Sequence, residues 1–184
     1  MPCQLKISRT FYKHDFPNPS LDDKITLFED RVIGWLLEIA QQLAENIPHS
    51  GFGVLMILAS YFEMIAKFQD GYRNESGSEE YFKKGLDWVF PNHFKANEAK
   101  FIYREFRNSL YHAGITGPRV QLSRAHPSPM ECTNLNGQLA LKINPHTLPG
   151  ALEQHFVAYV TQLRNPNEQN LRENFRSRFD YQGR

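Results

Sequence analysis

Between Phe52 and Phe68 the chain is apolar on almost every side. Val54, Leu55, Ile57, Leu58, Phe62 and Ile65 leave no polar stripe, and Glu63 is the first charge in the run. A helix that is hydrophobic all round must be enclosed by other elements. This one segment therefore dictates a central helix with amphipathic partners packed around it. The longest apolar stretch, Gly51 to Tyr61, is shorter than the roughly 20 residues that span a bilayer. It reads as core, with no membrane partner.

The partners are legible on both sides of it. Ile25, Phe28, Val32, Leu36, Ile39 and Leu43 recur at three- and four-residue steps, the period of a long amphipathic helix. Ser20, followed by Leu21-Asp22-Asp23, supplies its start and acids for its first turn, and Pro48 follows its end. Residues 71–77 read as a polar loop, and a third helix covers about 78–90 before Pro91 stops it. Asn97 caps a fourth, about 98–112, with Phe101, Ile102, Phe106 and Leu110 as its apolar set. Ala113-Gly114 is a common ending for such a helix. The last main helix spans about 148–164, carrying Leu152, Phe156, Tyr159, Val160 and Leu163. The spacing thus predicts a mainly α fold: an up-down bundle of four to five helices.

Three stretches fall outside that pattern. Residues 1–20 read as an extended arm. Residues 118–145 read as a small β-hairpin inserted between the fourth and last main helices, because Val120–Ser123 and Leu139–Ile143 alternate and Asn136-Gly137 is a hairpin turn signal. Residues 165–184 form a polar tail with Leu171, Phe175 and Phe179 at four-residue spacing, a short helix to be docked on the body or on a partner. A length of 184 residues suits one domain, residues 1–184. No secretory leader is legible in the opening residues. The two cysteines, Cys3 and Cys132, make neither a disulfide framework nor a metal pattern. The reading is a cytoplasmic protein that needs no cofactor and no metal.

Charge is nearly balanced over the chain, 21 Lys and Arg against 20 Asp and Glu, but unevenly spread. Residues 93–124 carry six basic side chains and two acidic ones, net +4. Such a zone attracts phosphates, although a solvated helix face has the same composition.

Within that zone lies Phe106-Arg107-Asn108-Ser109-Leu110-Tyr111-His112-Ala113-Gly114. Asn108 and His112 are four apart and share a helix face, with Arg104 four earlier on the same row. Arg107 lies about 140° from His112 at 3.6 residues per turn, within reach of a bent guanidinium. A histidine titrating near neutrality serves as general acid or base. An arginine fork holds a phosphate and stabilises charge developing on it. RNA cleavage by its own 2′-hydroxyl needs a base, a cation and an acid, and no metal. The competing reading makes Arg107 and Asn108 surface residues and His112 a C-terminal helix cap.

Arg107-Asn108-x-x-x-His112 also resembles the Arg-Asn-x-x-x-His form of the Arg-x(4–6)-His motif of the HEPN superfamily, helical bundles found in toxins, abortive-infection proteins and CRISPR effectors. The similarity covers roughly residues 22–164, and the motif falls late in a bundle helix, as it does in the family. The resemblance implies a metal-independent endoribonuclease, or an RNA-binding relative, acting on single-stranded RNA in stress or phage defence. It implies a homodimer that brings the Arg and His of two copies together, and it admits an antitoxin-like protein partner. Arg107 and His112 map onto the catalytic pair and Asn108 onto the polar position after the Arg. Glu63 maps onto an acidic position able to orient Arg107. Lys100, Arg104 and Tyr111 join Glu63 as substrate-side candidates. The alternative, from a different class, is a non-catalytic helical module for dimerisation or partner binding.

Overall fold

The long first helix opens on a reciprocal cap. The Ser20 hydroxyl accepts from the Asp23 N–H at 3.2 Å, and the Asp23 carboxylate accepts from the Ser20 N–H at 2.9 Å, meeting two donors that a helix start leaves free. The computed structural model describes residues 5–72 and 77–182. Within them this helix runs as α1 (Leu21–Val32), a wide π turn (Ile33–Leu37) and α2 (Glu38–Asn46). The core helix is α3 (Gly51–Asp70), which returns along α2. An added Cβ at Gly53 would lie 3.0 Å from the Leu43 side chain. By length and composition α3 is long and apolar enough to cross a membrane, but more than half of it is buried inside the protein. Val54, Leu55, Leu58, Ala59, Tyr61, Phe62, Ile65 and Ala66 have no exposed surface, as an all-round apolar helix requires.

α4 (Ser78–Val89) packs on α3 more extensively than any other pair of elements does. The next helix is α5 (Ala96–Ile102), a second π turn (Tyr103–Asn108) and α6 (Ser109–Ala113). It starts earlier than the sequence indicated. Lys95 is its cap, donating its N–H to Glu98 at 2.8 Å, and Asn97 lies inside the first turn. α7 (Leu148–Arg164) and α8 (Gln169–Gln182) complete a mainly helical fold.

A three-stranded mixed sheet lies between α6 and α7, with order β1-β3-β2. β2 (Met130–Leu135) and β3 (Gln138–Ile143) form the hairpin, and Asn136 and Gly137 turn it with φ of 52° and 81°, the double positive φ of a type I′ turn. β1 (Val120–Leu122) differs from the expectation. It is a third strand, parallel to β3, with Val120 opposite Leu141 and Leu122 opposite Ile143. Met130, Leu141 and Ile143 send the sheet's inner face into the helical core.

Both flanking segments are docked. The arm folds back on itself, with Ile7 donating to the Phe11 carbonyl at 2.9 Å and Lys13 to the Leu5 carbonyl at 2.8 Å. α1 holds it: Arg31 donates to the Ile7 carbonyl at 2.6 Å, and Asp30 accepts from the Thr10 N–H at 2.7 Å. The tail is α8, whose Phe175 is fully buried among Phe28 and Phe68, ring centroids 5.3 and 5.5 Å away. Asn174 also donates to the Gln69 carbonyl at 2.7 Å. Trp35 is 50% exposed on the first π turn.

On α7, His155 Nδ1 lies 2.9 Å from the buried Tyr61 hydroxyl. Burial lowers the pKa of His155 and raises that of Tyr61 well above its ordinary value. A histidine kept neutral by the fold binds no proton at a pH where the unfolded chain already does. Stability is therefore expected to fall as pH drops through about 6.5 toward the lower folded value. Melting curves from pH 8 to 5 check this. His155→Gln, which keeps an acceptor for Tyr61, should lose less Tm on acidification than the parent, and parallel profiles would remove the assignment.

Candidate functional site

The second π turn sits at the start of the Arg107-to-His112 motif. Its widened backbone, in which the Ser109 N–H reaches the Arg104 carbonyl, accommodates two consecutive buried residues, Glu105 and Phe106. Single π turns of this kind are rare within α-helices and concentrate at functional sites.

Arg107 turns inward from this point. Its guanidinium donates to Glu63 at 3.0 Å and to the Ser78 hydroxyl at 3.3 Å. Glu63 also accepts from Lys67 at 2.7 Å and from Ser78 at 2.9 Å. Glu63 and Lys67 lie one turn apart on α3, and Ser78 is the first residue of α4. Two cations thus share one carboxylate, and each cation lies against two tyrosine rings. Arg107 is 4.6 Å from the Tyr111 centroid and 5.7 Å from that of Tyr103. Lys67 is 5.9 Å from both Tyr72 and Tyr81, within the range of cation–π attraction. Burial alone pushes the Glu63 pKa up, but hydrogen bonds from Lys67 and Ser78 and the charges of Lys67 and Arg107 outweigh it and hold the carboxyl below its ordinary value. The Arg107 Nε is buried and lacks a partner among the described residues.

Lys67 and Ser78 were missed in the sequence. Lys67 had a signal, being four residues after Glu63 in a helix with no earlier charge. Ser78 had none, because its role depends on how α4 docks.

The other candidates divide between two places. Lys100, Arg104 and Asn108 line one cleft of about 320 Å3 together with Glu79, Asn97, Phe101 and Tyr103. His112 is not on that wall. It is exposed beyond the end of the π turn, and no hydrogen bond or ion pair holds it among the described residues. The capping role open to it belongs instead to Gly114, which closes the helix at φ 74° with its N–H on the Leu110 carbonyl at 3.0 Å. Tyr111 and Ile115, on either side of His112, are 46% and 58% exposed.

Part of the basic zone is neutralised. Glu105, 7% exposed, accepts from Arg119 at 2.8 Å and Arg104 at 3.1 Å. Two tail arginines act in the fold: Arg172 pairs with Asp22 at 2.9 Å and Arg178 donates to the Tyr72 carbonyl at 3.0 Å. Burial, then Glu98 and Glu131, pushes the Cys132 thiol up to about 12, which leaves it protonated and a poor nucleophile at neutral pH. Cys3 lies outside the described residues. A wider cleft of about 610 Å3 opens at the far end of α3 between His49, Ser50, Ser123 and Arg124, and no candidate residue lines it.

The helix end carries a carboxylate-anchored arginine and, five residues later, an exposed imidazole, side chains that can bind an anion and transfer a proton. No family model matches this chain, and neither a curated protein nor a solved structure matches it.

Proposed function

We propose that the chain is a metal-independent endoribonuclease or RNA-binding protein of HEPN type, acting as a homodimer on single-stranded RNA. The observation that carries the reading is the anchoring of Arg107 by Glu63 and Ser78, a few residues before an exposed and unengaged His112. Anchoring fixes where the guanidinium sits, so charge developing on a phosphate meets a preorganised cation. His112 is the proton-transfer group. The base takes the proton of a ribose 2′-hydroxyl, the 2′-oxygen attacks phosphorus, and the bond to the 5′-oxygen breaks as that oxygen is protonated. The products are a 2′,3′-cyclic phosphate and a 5′-hydroxyl. Base and acid must stand on opposite sides of the phosphate, so one His112 per chain calls for a second copy. Exposed Tyr111 and Ile115 supply apolar surface for that contact. Asn108 supports the pair, Lys100 and Arg104 hold flanking phosphates, and the setting is cytoplasmic stress or phage defence with an antitoxin-like partner.

The same exposed apolar residues favour the second reading, a non-catalytic module whose motif helix makes a dimer or docks a protein partner.

An RNA-cleavage assay in EDTA separates the two. The expected result is cleavage leaving 2′,3′-cyclic phosphate ends, reduced by about 100-fold or more in His112→Ala, the lower end of what an acid–base group contributes. A comparable loss is expected in Arg107→Ala. Equal cleavage by all three proteins, or none by a folded dimer, would leave the interaction module.

A further inference from the structure

We propose that the cleft lined by Glu79, Asn97, Tyr103 and Asn108 is a base-reading subsite that prefers guanine and rejects uracil. This rests on the RNA reading above and adds to it the identity of the base beside the phosphate held at Arg107.

Three links join the cleft to Arg107. Tyr103 lines the cleft, and the Arg107 guanidinium lies 5.7 Å from its ring centroid. Asn108 follows Arg107 directly. Glu79 follows Ser78, whose hydroxyl accepts from Arg107 at 3.3 Å. A phosphate at Arg107 therefore has this cleft as its immediate neighbour.

The size suits one unpaired nucleotide. The volume of about 320 Å3 is at the lower end of small-ligand pockets, which run from about 300 to 1,000 Å3. Its lining divides by chemistry. Phe101 is buried beneath Arg119, 4.7 Å from its ring, and with half-buried Tyr103 gives an apolar wall of the kind that receives splayed-out bases. Lys100 is an exposed cation suited to phosphate, and Arg104, although paired with Glu105 at 3.1 Å, keeps most of its side chain exposed. Asn97 and Asn108 each offer a donor and an acceptor.

Glu79 makes the selection. One of its oxygens accepts from Lys83 at 3.1 Å, and an ionised carboxylate only accepts. Guanine presents two adjacent donors on its Watson–Crick edge, N1–H and the N2 amino group, which match a carboxylate fork. Adenine and cytosine present one amino group each. Uracil presents a single N–H between two carbonyl oxygens, which a carboxylate repels.

Titration of the full chain with GMP, AMP, CMP and UMP, followed by chemical-shift changes, tests this without relying on cleavage. GMP is expected to bind at least about tenfold more tightly than UMP, the discrimination given by one hydrogen bond to a charged group. Glu79→Gln should bring the two within about threefold at an unchanged melting temperature, and Asn97→Ala should weaken all four nucleotides. Equal affinities in the parent, a preference that survives Glu79→Gln, or no binding of any nucleotide overturns the subsite. The EDTA assay reports separately on the nuclease. Cleavage without base preference would sink the subsite alone, and nucleotide preference without cleavage would sink the nuclease alone.

Discussion

Replacing Gly85 with alanine is expected to destabilise the protein by about 3 kcal/mol, the upper range for overpacking a close-packed interior. At Gly85, α4 lies directly against the backbone of α3. A Cβ built there would lie 1.8 Å from the Phe62 carbonyl oxygen and 2.6 Å from its carbon. The obstruction is backbone, so no side chain can rotate away, and α4 must move off α3 as a unit. That movement separates Phe62 from Phe82, whose rings meet edge to face at 5.2 Å, and from Phe90 at 6.4 Å. Alanine is the better helix former by about 1 kcal/mol, which offsets only part of the clash. At about 2–4 °C per kcal/mol for a chain of this size, Tm should fall by about 6–12 °C. Gly150→Ala is the control, because a Cβ there meets nothing within 4 Å. It should melt at or slightly above the parent. Indistinguishable melts for the two variants would mean that the α3–α4 contact is looser than described.

Glu63→Ala is expected to cost about 3–5 kcal/mol, the usual loss when one partner of a buried ion pair is removed. The carboxylate lies between Lys67, 2% exposed, and Arg107, and both lose it at once. A double-mutant cycle with Lys67→Met isolates the pair. The double variant should lose clearly less than the sum of the singles, because the two groups share one interaction. Strict additivity would show that Glu63 and Lys67 act independently. The pH dependence has a defined sign. The folded-state pKa of Glu63 is lowered, so its stabilisation is complete above the ordinary carboxyl range near 4.3 and disappears as pH falls through the lower folded value. The parent should therefore lose more stability than Glu63→Gln between about pH 5 and pH 2, and urea midpoints measured across that range check it.

The helices were legible because burial imposes a period on the sequence. α3 announced itself by having no polar face, and α7 by Leu152, Phe156 and Leu163, all three fully buried. What was not legible depends on contacts between distant segments. The π turn at Tyr103–Asn108 leaves no mark in the spacing of Ile102, Phe106 and Leu110, which reads as an ordinary helix. It appears only where Glu105 must go inside to meet Arg119. The parallel pairing of β1 with β3 has no local signal either, since three alternating residues fit either edge of a hairpin. Within the site, the residue types at 107, 108 and 112 were visible, but their division was not. An unbroken helix puts Arg104, Asn108 and His112 on one row, whereas the folded chain keeps Arg104 and Asn108 on the cleft and leaves His112 outside it.

The seating of Phe175 against Phe28 and Phe68 also bears on how the protein is made. A ribosome delivers Phe28 well over a hundred residues before Phe175, and the ion pairs Asp22–Arg172 and Lys24–Asp180 close loops of the same span. Closing such loops carries an entropic cost that only the completed contacts offset. Until α8 emerges, the nascent chain carries an unfilled aromatic socket at the C-terminal end of α3. During translation that socket is exposed hydrophobic surface, and α8 covers it only after every element between Phe28 and Phe175 has been made.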